Sequence, residues 1–152
     1  MPNHSRGRVA GIDYGTVRIG IAVADLEVGI ATPVETYHRK NPSLDANYFK
    51  QLALEERLAK FVVGLPVHLD GGESHKSTEA RAFGKWLTEH TGLEVDYFDE
   101  RYTSSQAEEM LQAAGLTKKR RKERIDQLAA QLMLTAYLEA GAKGQQDPGS
   151  IG

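Results

Sequence analysis

The sequence contains no cysteine. That excludes disulfides, zinc–thiolate sites and a cysteine nucleophile. It also lacks any apolar run long enough to span a membrane, and residues 1–8 have no apolar signal core. Both absences point to the cytoplasm. Tryptophan occurs once, at Trp86, and like Tyr137 it stands at a helical position that reads as packing, not as a platform for stacking bases. A charge excess of one sign is missing too: the formal net charge of -2 argues neither for nor against a polyanionic partner. The distribution is more telling, because Lys118-Lys119-Arg120-Arg121-Lys122-Glu123-Arg124 gathers six basic residues in one short run.

What is present describes an ordinary globular chain. With 152 residues, 40% hydrophobic and 26% charged, the length suits a single domain over 1–140. Residues 141–152, rich in Gly, Gln and Pro, read as a disordered tail.

The chain is organised around Gly11 to Asp25. Val9 to Ile12 reads as the end of a buried strand. In the next strand Ile19, Ile21 and Val23 alternate with Gly20, Ala22 and Ala24, large on one face and tiny on the other, which suits close packing against another element. Tyr14-Gly15-Thr16 makes the turn between them. Asp13 is left at the carboxyl end of an apolar strand, where its charge has to meet either a metal ion or the backbone of its own turn.

Further on, Ala31 to His38 reads as a third strand, with Pro33 suited to an edge. Asn41-Pro42-Ser43 breaks the pattern, and a helix is expected over 45–60. Phe61 to Leu65 is a short apolar strand halted by Pro66, and Val67 to His75 a glycine-rich flexible loop holding His68 and His75. Ala80, Phe83 and Leu87 mark a helix that stops near Thr91-Gly92. Glu94 to Phe98 alternates as a fifth strand. Thr103 with Gln106 fits a capping box opening a helix that ends at Gly115. Past the basic run, Ile125, Leu128, Ala129, Leu132 and Ala136 predict a last amphipathic helix, with Asp126 near its start. Strand–helix–strand crossovers make the later strands parallel, and if the first strand joins them all the carboxyl ends lie at one sheet edge, where ligands bind in open α/β sheets.

Three acidic features can meet at that edge: Asp13, the pair Asp99-Glu100, and Asp126, which lines up along its helix with Ala129, Ala130 and Met133. Hard oxygen donors without cysteine point to one or two Mg²⁺ or Mn²⁺ ions, and ions so held activate water in phosphodiester cleavage. The basic run, Lys118, Lys119, Arg120, Arg121 and Lys122 above all, would attract the phosphate backbone. Arg18 and Arg101 adjoin the acids and either bind phosphate or pair with the carboxylates.

These residues resemble the YqgF (RuvX) family of bacterial proteins, described as pre-16S ribosomal RNA nucleases or Holliday junction resolvases. The resemblance rests on Gly11-Ile12-Asp13-Tyr14-Gly15, Arg18-Ile19-Gly20, Gly64-Leu65-Pro66, Asp70-Gly71, Asp99-Glu100-Arg101-Tyr102-Thr103-Ser104 and Ile125-Asp126-Gln127-Leu128-Ala129-Ala130, spread over Arg8 to Leu138. It implies an α/β ribonuclease H-like fold, a five-stranded mixed sheet with the first three strands antiparallel and the later ones parallel to the first. It also implies Asp13, Glu100 and Asp126 as catalytic, metal-binding acids, with Asp99 beside them. Related resolvases of the RuvC type carry a carboxylate just after the fourth strand, where this chain has Gly64-Leu65-Pro66.

The expectation is therefore a metal-dependent nuclease acting on pre-rRNA or branched DNA, possessing contacts to ribosomal particles and working as a monomer or homodimer. A non-catalytic nucleic-acid-binding module of ribosome assembly is the competing class. Asp13-Tyr14-Gly15-Thr16 also resembles the phosphate loop of actin-like and sugar kinases, but those enclose nucleotide with a second lobe that 152 residues do not supply.

Overall fold

The two faces of the β-hairpin decide how the rest packs. In the structure, a computed structural model that describes residues 7–66, 75–99 and 109–141, strand β1 (Arg8–Asp13) pairs antiparallel with β2 (Arg18–Asp25), and β2 pairs antiparallel with β3 (Ala31–His38). Helix α1 (Pro42–Glu55) leads to β4 (Leu58–Leu65), and α2 (His75–Thr91) leads to β5 (Glu94–Asp99). Helix α3 (Lys118–Glu139) follows a short helical stretch at 109–113. The sheet order is β3-β2-β1-β4-β5, with β4 parallel to β1 and β5 parallel to β4. The mixed sheet expected from the sequence is the one observed.

Ile12, Ile19, Ile21, Phe61 and Val63 face α1 and α2, where Phe49, Leu52, Phe83 and Leu87 close one core. The small residues Ala22 and Ala24, with Val9 and Val62, face α3 and pack on Ala130, Met133, Leu134 and Tyr137. Trp86 lies against Phe83 in a stacked pair and Tyr137 is fully buried, so both are packing residues. Pro33 sits on the edge strand beside the shift in β2–β3 register, the kind of position in a sheet that tolerates a residue without an N–H.

Five boundaries differ from the sequence expectation. Asn41 does not break a pattern but caps α1, its side chain accepting from the Leu44 amide at 2.9 Å, with Pro42 at the first helical position. The helix expected over 45–60 ends at Glu55 because Arg57 adopts a left-handed φ of 54°, and β4 begins at Leu58, earlier than Phe61. His75 belongs to α2, not to the loop before it. The basic run is not a loop ahead of the last helix: Thr117 caps α3 by accepting from the Arg120 amide at 3.2 Å, and the run forms its first turns. Asp126 accordingly lies well inside that helix. The loop at 67–74, the capping pair Thr103/Gln106 and the tail from residue 142 lie outside the described residues. Among the described residues no helix is long and apolar enough to cross a membrane.

Candidate active site

Because β1, β4 and β5 are parallel and β2 runs back from β1, one sheet edge carries Asp13, Leu65 and Asp99 at strand ends and Arg18 at a strand start. The turn from Asp13 to Arg18 is tight: a Cβ at Gly15 would lie 2.3 Å from the Arg18 carbonyl oxygen, so only glycine fits there.

Asp13 is the cross-strand partner of Gly20. Partners across an antiparallel ladder have Cα atoms about 4.5–5.5 Å apart and share a face, so Asp13 lies on the face covered by α3. On that face a Cβ at Gly20 would fall 1.9 Å from the Asp126 carbonyl oxygen and 2.8 Å from the Gln127 amide nitrogen. The missing side chain thus lets the helix backbone rest on the strand at Asp126, beside Asp13. The Asp126 carboxylate is held at this edge by Arg18, whose Nε donates to Oδ2 at 2.8 Å. His38, the cross-strand partner of Arg18, flanks it; nothing in the sequence pattern had marked it.

The other acids stand differently. Alternation along β5 assigns Asp99 to the face of Val95 and Tyr97, which pack toward α1 and α2, and its register partner Leu65 belongs to the same core. Asp13 and the Asp126 backbone thus share one face of the sheet, and the alternation assigns Asp99 to the other. Glu100 and Arg101 lie outside the described residues, and among those described no three His, Asp or Glu side chains form a group able to hold a metal ion. Asp13 and Asp126 are two hard oxygen donors without a thiolate, a pair that fits Mg²⁺ or Mn²⁺ and leaves further positions to water, substrate or another residue.

A second network, not anticipated from the sequence, ties down the turn after Asp13. Arg39 donates from its backbone amide to the Val17 carbonyl at 2.9 Å and from Nη1 to the Tyr14 hydroxyl at 3.1 Å. Its guanidinium lies over the Tyr14 and Phe83 rings and pairs through Nε with Asp45 at 3.3 Å. Asp45 is nearly fully buried and also accepts from the Tyr37 hydroxyl at 2.7 Å and the Lys40 amide at 2.9 Å. Burial pushes its carboxyl up, but the bonds from Tyr37, Lys40 and Arg39 outweigh burial and hold it below the usual carboxylate range. Burial and the Asp45 carboxylate push the Tyr37 hydroxyl up to about 12. The only sequence signal was an acid one turn after the Asn41 cap.

The first turns of α3 overhang this same edge. Thr36 Oγ1 donates to the Glu123 carbonyl at 3.3 Å and Gln131 Nε2 donates to the Ala31 carbonyl at 3.0 Å, so α3 runs antiparallel to β3 and its basic start lies beyond the strand's end. Lys118, Lys119, Arg120 and Lys122 are exposed, and Arg121 donates from Nη1 to the Leu116 carbonyl at 2.8 Å. Lys119 and Lys122 fall on the helical face of Asp126, at spacings of seven and four. The first turn contains no acid. Cations there oppose the helix dipole, at about 0.3–1 kcal/mol each, and a bound polyanion relieves that opposition.

A family model described as "RuvX: Holliday junction resolvase" matches residues 7–140. A protein of Rhodopirellula baltica named "Putative pre-16S rRNA nuclease" is 49% identical over 134 residues, 88% of this chain and 78% of the relative. A protein of the same name from Koribacter versatilis is 36% identical over 148 residues, 97% of this chain and 96% of the relative. Among solved structures, Thermus thermophilus RuvC in complex with a Holliday junction substrate superposes with a TM-score of 0.56 at 19% identity, over 90% of this chain and 96% of that one. The Fowlpox virus resolvase bound to Holliday junction DNA gives 0.56 at 9% identity, over 90% and 99%. At such identities the likeness is one of fold, and it identifies the sheet and its flanking helices as ribonuclease H-like.

Proposed function

The chain belongs to the RuvX family, matched over residues 7–140, and from that premise we infer a metal-dependent nuclease that processes the 5′ end of precursor 16S rRNA. That it is a nuclease, a hydrolase of phosphodiester bonds, follows from the family and the named relatives. The precursor rRNA, the ions and the residue roles are the proposal.

The observation that supports it most is the Gly20 contact, which seats Asp126 beside Asp13 on one face of the sheet edge. In this reading the Asp13 and Asp126 carboxylates would hold Mg²⁺ or Mn²⁺, one ion or two. Such ions, when bound, supply Lewis acidity to the attacking water and the leaving oxygen. Glu100, which the family resemblance implies, is the proposed third acid, with Asp99 beside it. The basic turns of α3, with Arg101, hold the phosphate backbone at longer range. The cytoplasm is the proposed compartment and ribosomal precursor particles the proposed partners.

Branched DNA is the second reading, favoured by the family's description as a Holliday junction resolvase. Cutting two strands symmetrically calls for a homodimer, whereas trimming an RNA end needs one site. The test is a Mg²⁺ and Mn²⁺ titration with end-labelled precursor 16S rRNA and a four-way junction side by side. Metal-dependent cleavage of the RNA, abolished in Asp13→Asn, is expected. Cleavage that persists in Asp13→Asn would remove the metal site from the mechanism, and metal-independent binding without turnover would favour the non-catalytic assembly module.

A further inference from the structure

Among the described residues, two Arg–Asp pairs look alike on paper and differ in construction. Asp45 is nearly fully buried and has three hydrogen-bond donors, Tyr37, Lys40 and Arg39. That pair is fixed. Asp126 takes, among the described residues, a single side-chain donor, Arg18 Nε, and both side chains stay partly open to solvent, at 39% for Arg18 and 21% for Asp126. Among the described residues the Arg18 guanidinium makes its hydrogen bond through Nε, to Asp126 Oδ2. A partly exposed ion pair held by one hydrogen bond is weak and is exchanged at little cost.

Location gives that weakness a consequence. The carboxylate Arg18 holds is one of the two proposed to bind the ion, and the guanidinium stands at the sheet edge that the basic turns of α3 overhang. Arg18 engages Oδ2, so a divalent cation that takes this oxygen competes with the guanidinium for it. A guanidinium released there has its planar fork intact, and that fork matches the oxygens of a phosphodiester.

We propose that Arg18 is an exchangeable counter-ion. It neutralises Asp126 before the ion arrives, gives up Oδ2 on metal binding, and then takes a phosphate of the nucleic acid. Arg18 thereby makes tight substrate binding conditional on a loaded site. The inference rests on the metal-dependent reading above.

The test uses the full chain without turnover. Mn²⁺ binding is followed by electron paramagnetic resonance of the free ion, and binding of a phosphorothioate-linked RNA hairpin by fluorescence anisotropy with and without Mn²⁺. In Arg18→Gln, Mn²⁺ binds roughly two- to fivefold tighter, since a competitor of surface ion-pair strength is gone. Hairpin affinity falls in Mn²⁺ and changes little without it. A merely structural role would weaken both, and thermal melts of each variant check the fold. Arg18→Lys, which keeps the charge but not the fork, holds Mn²⁺ affinity near the wild-type value and loses the Mn²⁺-dependent part of hairpin binding. Unchanged or weaker Mn²⁺ binding in Arg18→Gln overturns the exchange, as does an equal loss of hairpin affinity in both conditions. If the wild type itself binds no Mn²⁺, the metal reading falls, and the exchange with it; if it binds and Asp126→Asn abolishes binding, a null result at Arg18 condemns the exchange alone.

Discussion

Gly20 and Asp126 are in backbone contact, with no room between strand β2 and helix α3 for even a methyl group. The contact joins fold to site: the residue that lets the helix settle on the sheet is the cross-strand neighbour of Asp13. Gly20→Ala is therefore expected to lift α3 and separate the two carboxylates. The stability loss should be about 1–3 kcal/mol, as for overpacked interiors, and Mn²⁺ affinity should fall at least tenfold. Gly11→Ala makes the comparison. Its Cβ would meet the Leu134 side chain at 3.0 Å, further along the helix, so it should cost stability with a smaller effect on the ion. Chemical denaturation and Mn²⁺ titration of the two variants read both quantities.

The buried Asp45 network makes a prediction about pH. The Asp45 carboxyl is lower in the folded chain than in the unfolded one, where its ordinary value is 3.8. The unfolded state then binds more protons through that range, so the stability Asp45 contributes is present above the unfolded value and is lost as pH falls through the folded one. Tyr37 has the opposite sign: raised to about 12 from 10.0, it contributes below pH 10 and loses that contribution as pH rises through its folded value. Asp45→Asn should reduce stability by about 1–3 kcal/mol at neutral pH and flatten the acid limb of a stability–pH profile measured by urea unfolding. It should also loosen Tyr14, through Arg39, and so lower turnover more than hairpin binding.

Much of this architecture was legible in period and spacing. The large-and-tiny alternation of β2 foretold a close neighbour, and the strand order placed Asp13 at a ligand-binding edge. Less visible were features set by single capping or hydrogen-bond events. Pro42 reads as a breaker until Asn41 is seen to cap the helix it opens. The start of α3 was hidden because seven consecutive charged residues, 118–124, carry no apolar stripe; Thr117 alone marks it. The Tyr14–Arg39–Asp45 network depends on side chains from the β1–β2 turn, the β3–α1 connection and α1, and no one-dimensional pattern records such a meeting.

Basic residues on α3 should act through salt. Lys119→Ala with Lys122→Ala, both on the Asp126 side of the helix, removes two proposed phosphate contacts. The slope of log affinity against log salt should fall by about 0.7–0.9 for each contact, depending on whether the strand is single or double. Mn²⁺ affinity should hold or rise slightly. Anisotropy titrations of the RNA hairpin across a salt series measure the slope.

At the far end of α3, Tyr137 donates to Asp96 Oδ2 at 2.6 Å and Lys60 Nζ lies 3.0 Å from the same oxygen. This trio fastens the helix to β4 and β5 away from the site. Burial and the Asp96 carboxylate push the Tyr137 hydroxyl up to about 12. Tyr137→Phe is expected to cost about 1–3 kcal/mol of stability, the charged partner keeping Lys60, with turnover per folded molecule unchanged. Thermal denaturation and cleavage assays separate the two effects.

A divalent ion shared by Asp13 and Asp126 is tested most directly by anomalous diffraction from Mn²⁺-soaked crystals of the full chain. A manganese peak within coordination distance of both carboxylates, lost in crystals of Asp13→Asn, is the expected result. A peak elsewhere, or none beside Asp13 and Asp126 at saturating Mn²⁺, would contradict the shared site and the hydrolytic mechanism built on it.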